Sequence, residues 1–166
     1  VTLPFDPVDE ARRNWLAHGW GAVGAMAAVT SLARAWQIAL ARADDVLRPM
    51  GLTFSRFEAL ALLHFSRRGG LPMGVIGERL QVHPASVTNT VGRLQDAGLV
   101  RRTPHPSDGR AVIAEITDEG RAAVAAAAAA LAEVRFGLAG LDDVECAAVE
   151  DALRALRRRA GDFDGA

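Results

Sequence analysis

The chain has 166 residues, half of them hydrophobic and 23% charged, with a formal net charge of −1. That is one domain's length with enough apolar content for a core, which excludes a disordered chain and a histone-like coat held to nucleic acid by global positive charge. All 19 basic residues are arginine, and the single cysteine, Cys146, excludes an intramolecular disulfide framework and fits a reducing cytoplasm.

In chain order, the first ten residues are acidic and lack the basic region of a signal peptide. The apolar stretches around 21–33 and 122–131 are shorter than the roughly 20 residues that span a bilayer, so a cytoplasmic protein with no membrane contact is expected. A short polar helix over 8–18 carries Trp15 and is broken by Gly19, Gly21 and Gly24. A long helix over 25–48 follows, with Leu32, Trp36, Ala39, Ala43, Leu47 and Met50 at helical spacing. Gly51 supplies a left-handed end, and Thr53 caps a helix over 54–67 with Phe57, Leu60 and Ala61 on its apolar face. The run 67–70, Arg-Arg-Gly-Gly, stops it.

A short helix over 73–80 and a second over 84–97 are separated by only Gln81, Val82 and His83. Pro84 opens the second, where a missing N–H costs nothing, and Gly98 closes it. Leu99 to Thr103 and Arg110 to Ile116 are strand candidates around a turn at 104–109. Thr117 caps an Ala-rich helix to about 136, strong in propensity but with a weakly specified face. Asp142 and Glu145 form a capping-box pattern for a last helix to about 159, and residues 161–166 are expected to fray.

Two short helices joined by a three-residue turn and followed at once by a two-stranded ribbon predict a winged helix-turn-helix, a mainly α fold with a small β wing. In the second helix Val87, Val91 and Leu94 share an inward stripe. Ser86, Asn89, Thr90 and Arg93 fall on the opposite one, where small polar groups and an arginine reach base edges and phosphates. With Thr88 they are the DNA-contacting candidates of the helix. Between Arg79 and Arg110 five arginines face Asp96 and Asp108, a local +3 on a chain whose total is −1. A solvated helix beside an ordinary hairpin would explain each piece alone, but not their ordered combination.

The run from Val82 to Arg102, the segment Pro106-Ser-Asp-Gly-Arg-Ala-Val112 and the segment Glu115-Ile-Thr-Asp-Glu-Gly-Arg121 resemble the recognition helix, wing and following helix of MarR-family transcription regulators. Leu47 to Thr53 is similar to the junction between that family's first two main helices. The likeness covers about 25–160, with Asp108-x-Arg110 its most specific part. It implies a homodimer with interleaved N- and C-terminal helices, double-stranded DNA as partner, Arg110 entering the minor groove, and Asp108 bracing the turn. Gly109 stands where many members carry another arginine. The expected organisation is dimerisation helices at 1–50, a DNA-binding region at 51–117, further dimerisation helices at 118–160 and a tail at 161–166.

Asn14-Trp15 resembles the extra helix of a branch that responds to small anionic metabolites such as urate. In position Trp15, Glu58 and Arg102 match its ligand residues, with glutamate in place of aspartate, and imply a small organic, anionic effector. Thr90 stands where that branch carries a second arginine. The alternative for Trp15 is packing against helices of the partner chain.

Other signals are weaker. Gly19 to Gly24 spells G-x-G-x-x-G with Asp44 twenty residues on, but the preceding segment is helical in rhythm rather than a buried strand, so no dinucleotide site is expected. Cys146 reads as a small interface residue before it reads as an oxidation switch. His18, His64, His83 and His105 lack i, i+4 pairing, so no metal is expected; His83 is placed at the recognition-helix cap and His105 in the wing. No nucleophile–base pair or phosphate loop supports an enzyme or a cofactor. The main rival is a winged-helix interaction protein that no longer reads DNA.

Overall fold

A computed structural model describes residues 2–164; the side chains of 108–110 lie outside that description. Helix α1 (Pro7–Ala17) starts at Asp6, whose carboxylate accepts from Val8 N–H (2.8 Å). Its end is tied to the next turn by Trp15, whose indole donates to the Gly21 carbonyl (2.8 Å) and packs edge-on against Trp20. The glycine cluster is thus a turn between two helices, not a phosphate loop.

Helix α2 (Val23–Leu47) begins two residues before and ends one residue before the expected bounds. With the 3₁₀ turn Arg48–Met50 it is long and apolar enough, by length and composition alone, to cross a membrane, whereas the apolar stretch expected there, 21–33, is shorter. Ala27, near its start, is buried, and so is its C-terminal end. Ala43 and Leu47 are buried, while Leu32 and Trp36, further up the same stripe, are exposed. Gly51, at φ +70°, reverses the chain into α3 (Phe54–Phe65). Two groups satisfy the free N–H groups of α3: the Thr53 hydroxyl accepts from Arg56 (3.4 Å) and the Asp44 carboxylate from Phe54 (2.7 Å). Asp44 therefore has a capping role.

The core centres on Phe57, Ala59, Leu60 and Leu63 of α3, against which α4 (Met73–Leu80), α5 (Pro84–Asp96) and α6 (Asp118–Glu133) pack. α6 buries Gly120, Val124, Ala127 and Leu131, a clean i, i+4, i+7, i+11 stripe within its alanine background. It ends at Glu133, earlier than expected, because Arg135 and Phe136 both take left-handed backbone conformations (φ 49° and 53°). The chain there turns over α2. A Cβ on Gly137 would lie 2.8 Å from Ala39 Cα, and the Arg42 guanidinium donates to the Gly137 carbonyl (3.0 Å). Helix α7 (Asp143–Arg159) opens with a capping box between Asp142 and Glu145, yet buries none of its side chains. The segment after it folds back as far as Phe163, with Asp162 N–H on the Arg157 carbonyl (3.0 Å) and the Arg157 guanidinium over the Phe163 ring.

The sheet has three strands, not two. β3 (Asp108–Ile116) is central, β2 (Val100–His105) pairs antiparallel on one side, and β1 (Gly70–Pro72) on the other. Leu71 pairs with Ala114 and Arg102 also faces Ala114, so the base of the wing is held from both edges.

Candidate nucleic-acid interface

The two helices of the predicted motif form where expected. Gln81, the first of the three residues between them, adopts a left-handed conformation (φ 53°, ψ 43°), and Val82 N–H bonds back to the Gly77 carbonyl (3.0 Å). The turn is tight enough that a Cβ on Gly77 would sit 3.3 Å from both the Val82 carbonyl oxygen and Val87. His83 caps α5, its Nδ1 accepting from Ala85 N–H (3.2 Å). At the other end Gly98 N–H bonds to Gln95 and Leu99 N–H to Leu94, the paired bonds of a Schellman motif with Gly98 at φ +74°.

Val87, Val91 and Leu94 are buried beneath α5, and Ser86, Thr88, Asn89 and Arg93 are exposed. The polar residues do not all face one way. Asn89 and Arg93 lie on the open surface, whereas Ser86 and half-buried Thr90 line a cleft of about 200 Å³ against α3. Thr88 turns to the opposite flank, toward the wing, and lines a trough with Met73, Gly74, Arg102 and Val112.

Arg102 is the tie between wing and helix. Its guanidinium donates to the Thr88 carbonyl (2.9 Å) and passes over Gly92, where a Cβ would lie 3.2 Å from Nη2. Arg101, on the other face of β2, is paired with Glu115 (2.6 Å), which also accepts from the Thr103 hydroxyl (3.2 Å). The local positive charge read from sequence is therefore partly neutralised. Arg79 and Arg93 make no ion pair among the described residues. At the wing tip, His105 Nδ1 accepts from Ser107 N–H (3.3 Å). Asp108 and Arg110 open strand β3, and their side chains lie outside the described residues.

The three ligand candidates are not brought together within one protomer. Trp15 packs on Trp20, Arg102 lines the wing trough, and Glu58 lines the cleft beside α5. Burial raises the Glu58 carboxyl above its usual range, and burial alone accounts for the shift. Sequence reasoning missed the Arg102 tie and the contribution of α4 to the trough. The signals that pointed there were Gly74 and Gly92, two glycines inside otherwise regular helices.

Helix, tight turn, exposed polar helix and basic-flanked wing define a winged helix-turn-helix protein. A model described as MarR family matches residues 50–111. Sco5413, a MarR family transcriptional regulator from Streptomyces coelicolor, is 54% identical and superposes with a TM-score of 0.81, over 86% of this chain and 99% of that one. Sco3205, a MarR family transcriptional regulator from the same organism whose structure is in complex with DNA, is 24% identical with a TM-score of 0.72, over 82% and 88%. An uncharacterized HTH-type transcriptional regulator of Mycobacterium bovis, Mb0904, is 36% identical over 76 residues, 46% of this chain; the chain spans about half, 52%, of that curated relative. The chain belongs to the MarR family of transcriptional regulators.

Proposed function

We propose that the protein is a sequence-specific double-stranded DNA-binding repressor that works in the cytoplasm as a homodimer on a pseudo-palindromic operator. The observation that carries this reading is α5 itself, with its apolar face buried on the core, Asn89 and Arg93 presented outward, and the wing tied alongside by Arg102. Such a helix fits the major groove, where Asn and Arg side chains make bidentate contacts to adenine and guanine. Sco3205, which shares the fold, has been solved in complex with DNA, and this supports DNA as the partner. Two copies would read half-sites about 34–36 Å apart, one helical turn of DNA.

The reading includes a small organic effector that alters the spacing of the two DNA heads. Of Trp15, Glu58 and Arg102, Glu58 and Arg102 lie against opposite flanks of the recognition helix, Glu58 in the cleft and Arg102 on the wing side.

Selection of binding sites from a random duplex pool tests the proposal, followed by affinities of the selected site over a salt series. A palindromic consensus and a slope of about −0.9 per phosphate contact are expected in log affinity against log salt. An unenriched pool with a flat salt response would overturn DNA reading in favour of a protein-interaction role.

A further inference from the structure

We propose that the cleft between α3, α4 and α5 is a binding site for a small organic cation, an ammonium or amidinium group on a compact apolar body, with Glu58 as counter-charge. The cleft holds about 200 Å³, and Glu58 is the one ionisable residue lining it. Its carboxylate makes no hydrogen bond or ion pair with another described residue, and burial alone acts on its titration. A carboxylate half withdrawn from water without a partner carries part of the desolvation cost, which a cation in the cleft offsets.

The remaining lining fits that class. Hydroxyls of Ser55, Ser86 and Thr90 supply acceptors for the other N–H groups, and Ile76 and Leu80 offer apolar wall. An anion finds nothing comparable. The first turn of α5, the natural place for one, has its donors occupied: Ser86 and Val87 N–H bond to the His83 carbonyl and Ala85 N–H to the His83 ring, while Pro84 has none. Arg102, the cation expected to face an anionic ligand, is held on the opposite flank of α5. A cavity of about 150 Å³ accommodates benzene, so the cleft has room for one ring and a one-carbon arm.

Binding here rests on the cleft alone. Its consequence for DNA rests on the reading above, because Ser86 and Thr90 belong to the recognition helix and an occupant touches that helix from its flank.

Calorimetric titration of the full chain with benzylamine, and with benzoate as the charge-inverted isostere, tests the site. Saturable binding of benzylamine is expected, with benzoate at least about tenfold weaker. Glu58→Gln should weaken benzylamine about tenfold or more, and Glu58→Asp should retain part of the affinity. Cooperative thermal melts establish that both variants are folded. Benzoate binding as tightly as benzylamine, no loss in Glu58→Gln, or no benzylamine binding to the wild type would each overturn the proposal. Should benzylamine bind at Glu58 and leave DNA affinity unchanged, the cation site stands and the effector reading falls.

Discussion

Glu58 also leaves a signature in stability. Its half-buried carboxyl holds a proton more tightly in the folded protein than the ordinary value of 4.5 in the unfolded chain. Between that value and the raised one the native state binds more protons, so stability falls as pH rises through this window. Removing the charge reverses the effect. Glu58→Gln should melt at higher temperature than wild type at pH 7, with the difference closing below pH 4.5 as both states become protonated; an equal offset at both pH values would mean that packing, not ionisation, sets it. The wing makes a second prediction at this scale. Arg110 is proposed to enter a narrow, A·T-rich minor groove, where negative potential is concentrated. Arg110→Ala should weaken DNA binding, by about 1–3 kcal/mol if it acts like a good base contact, and flatten the preference for flanking A·T pairs. Asp108→Ala should weaken binding too, although it makes the wing more positive. Tighter binding by Asp108→Ala at fixed salt would show that the wing is only a basic patch.

Between elements, the bond from Arg102 to the Thr88 carbonyl makes α5 and the wing a single reading unit. Arg102→Met keeps the aliphatic stem and removes the donor. It should lower affinity for all sequences alike and speed hydrogen exchange in β2 and β3, whereas Asn89→Ala and Arg93→Ala should reorder operator variants while leaving exchange unchanged. Unaltered exchange in Arg102→Met would mean that the sheet alone holds the wing. The sequence made the helices of this unit legible because Pro84, Gly98 and the Val87, Val91, Leu94 spacing each have a local cause. It concealed β1, three residues beginning at a glycine and ending at a proline, which exist as a strand only through pairing with β3. Nor did it show that Ser86 and Thr90 face α3, since that depends on where α3 sits and not on the period of α5. The early end of α6 was hidden for a related reason: alanine favours continuing the helix, and the turn is set by the close approach of Gly137 to α2.

At the scale of the molecule, the protomer leaves a great deal of apolar surface uncovered. Val29, Leu32, Trp36 and Ile38 of α2 are exposed, as are Val144, Val149 and Leu156 of α7. Only 11% of the most apolar window of α2 is buried. Exposed apolar faces of this kind mark interaction surfaces, and a second copy presenting the same two helices is the proposed cover. A dimer mass is expected at micromolar concentration, and deleting the residues from Leu141 onward should yield monomer or aggregate. A monodisperse monomer that still binds palindromic DNA would sink this architecture.

The junction where α5 ends and α6 begins bears on how such a dimer would move. The Thr117 hydroxyl donates to the Gly98 carbonyl (2.8 Å), Thr117 N–H bonds to the Leu99 carbonyl (3.1 Å), and Gly120 leaves space for that carbonyl against α6. The end of α5 and the start of α6 are thereby welded. At 1.5 Å per residue the 16 residues of α6 form a lever about 24 Å long. A 5° swing about one end displaces the other by roughly 2 Å, more than half of the roughly 3.4 Å rise of one base step. Gearing of that ratio lets a small adjustment among the arms mis-set the distance between two readers, and Gly120→Ala, which drives a methyl group into the weld, should loosen it without touching a single DNA contact.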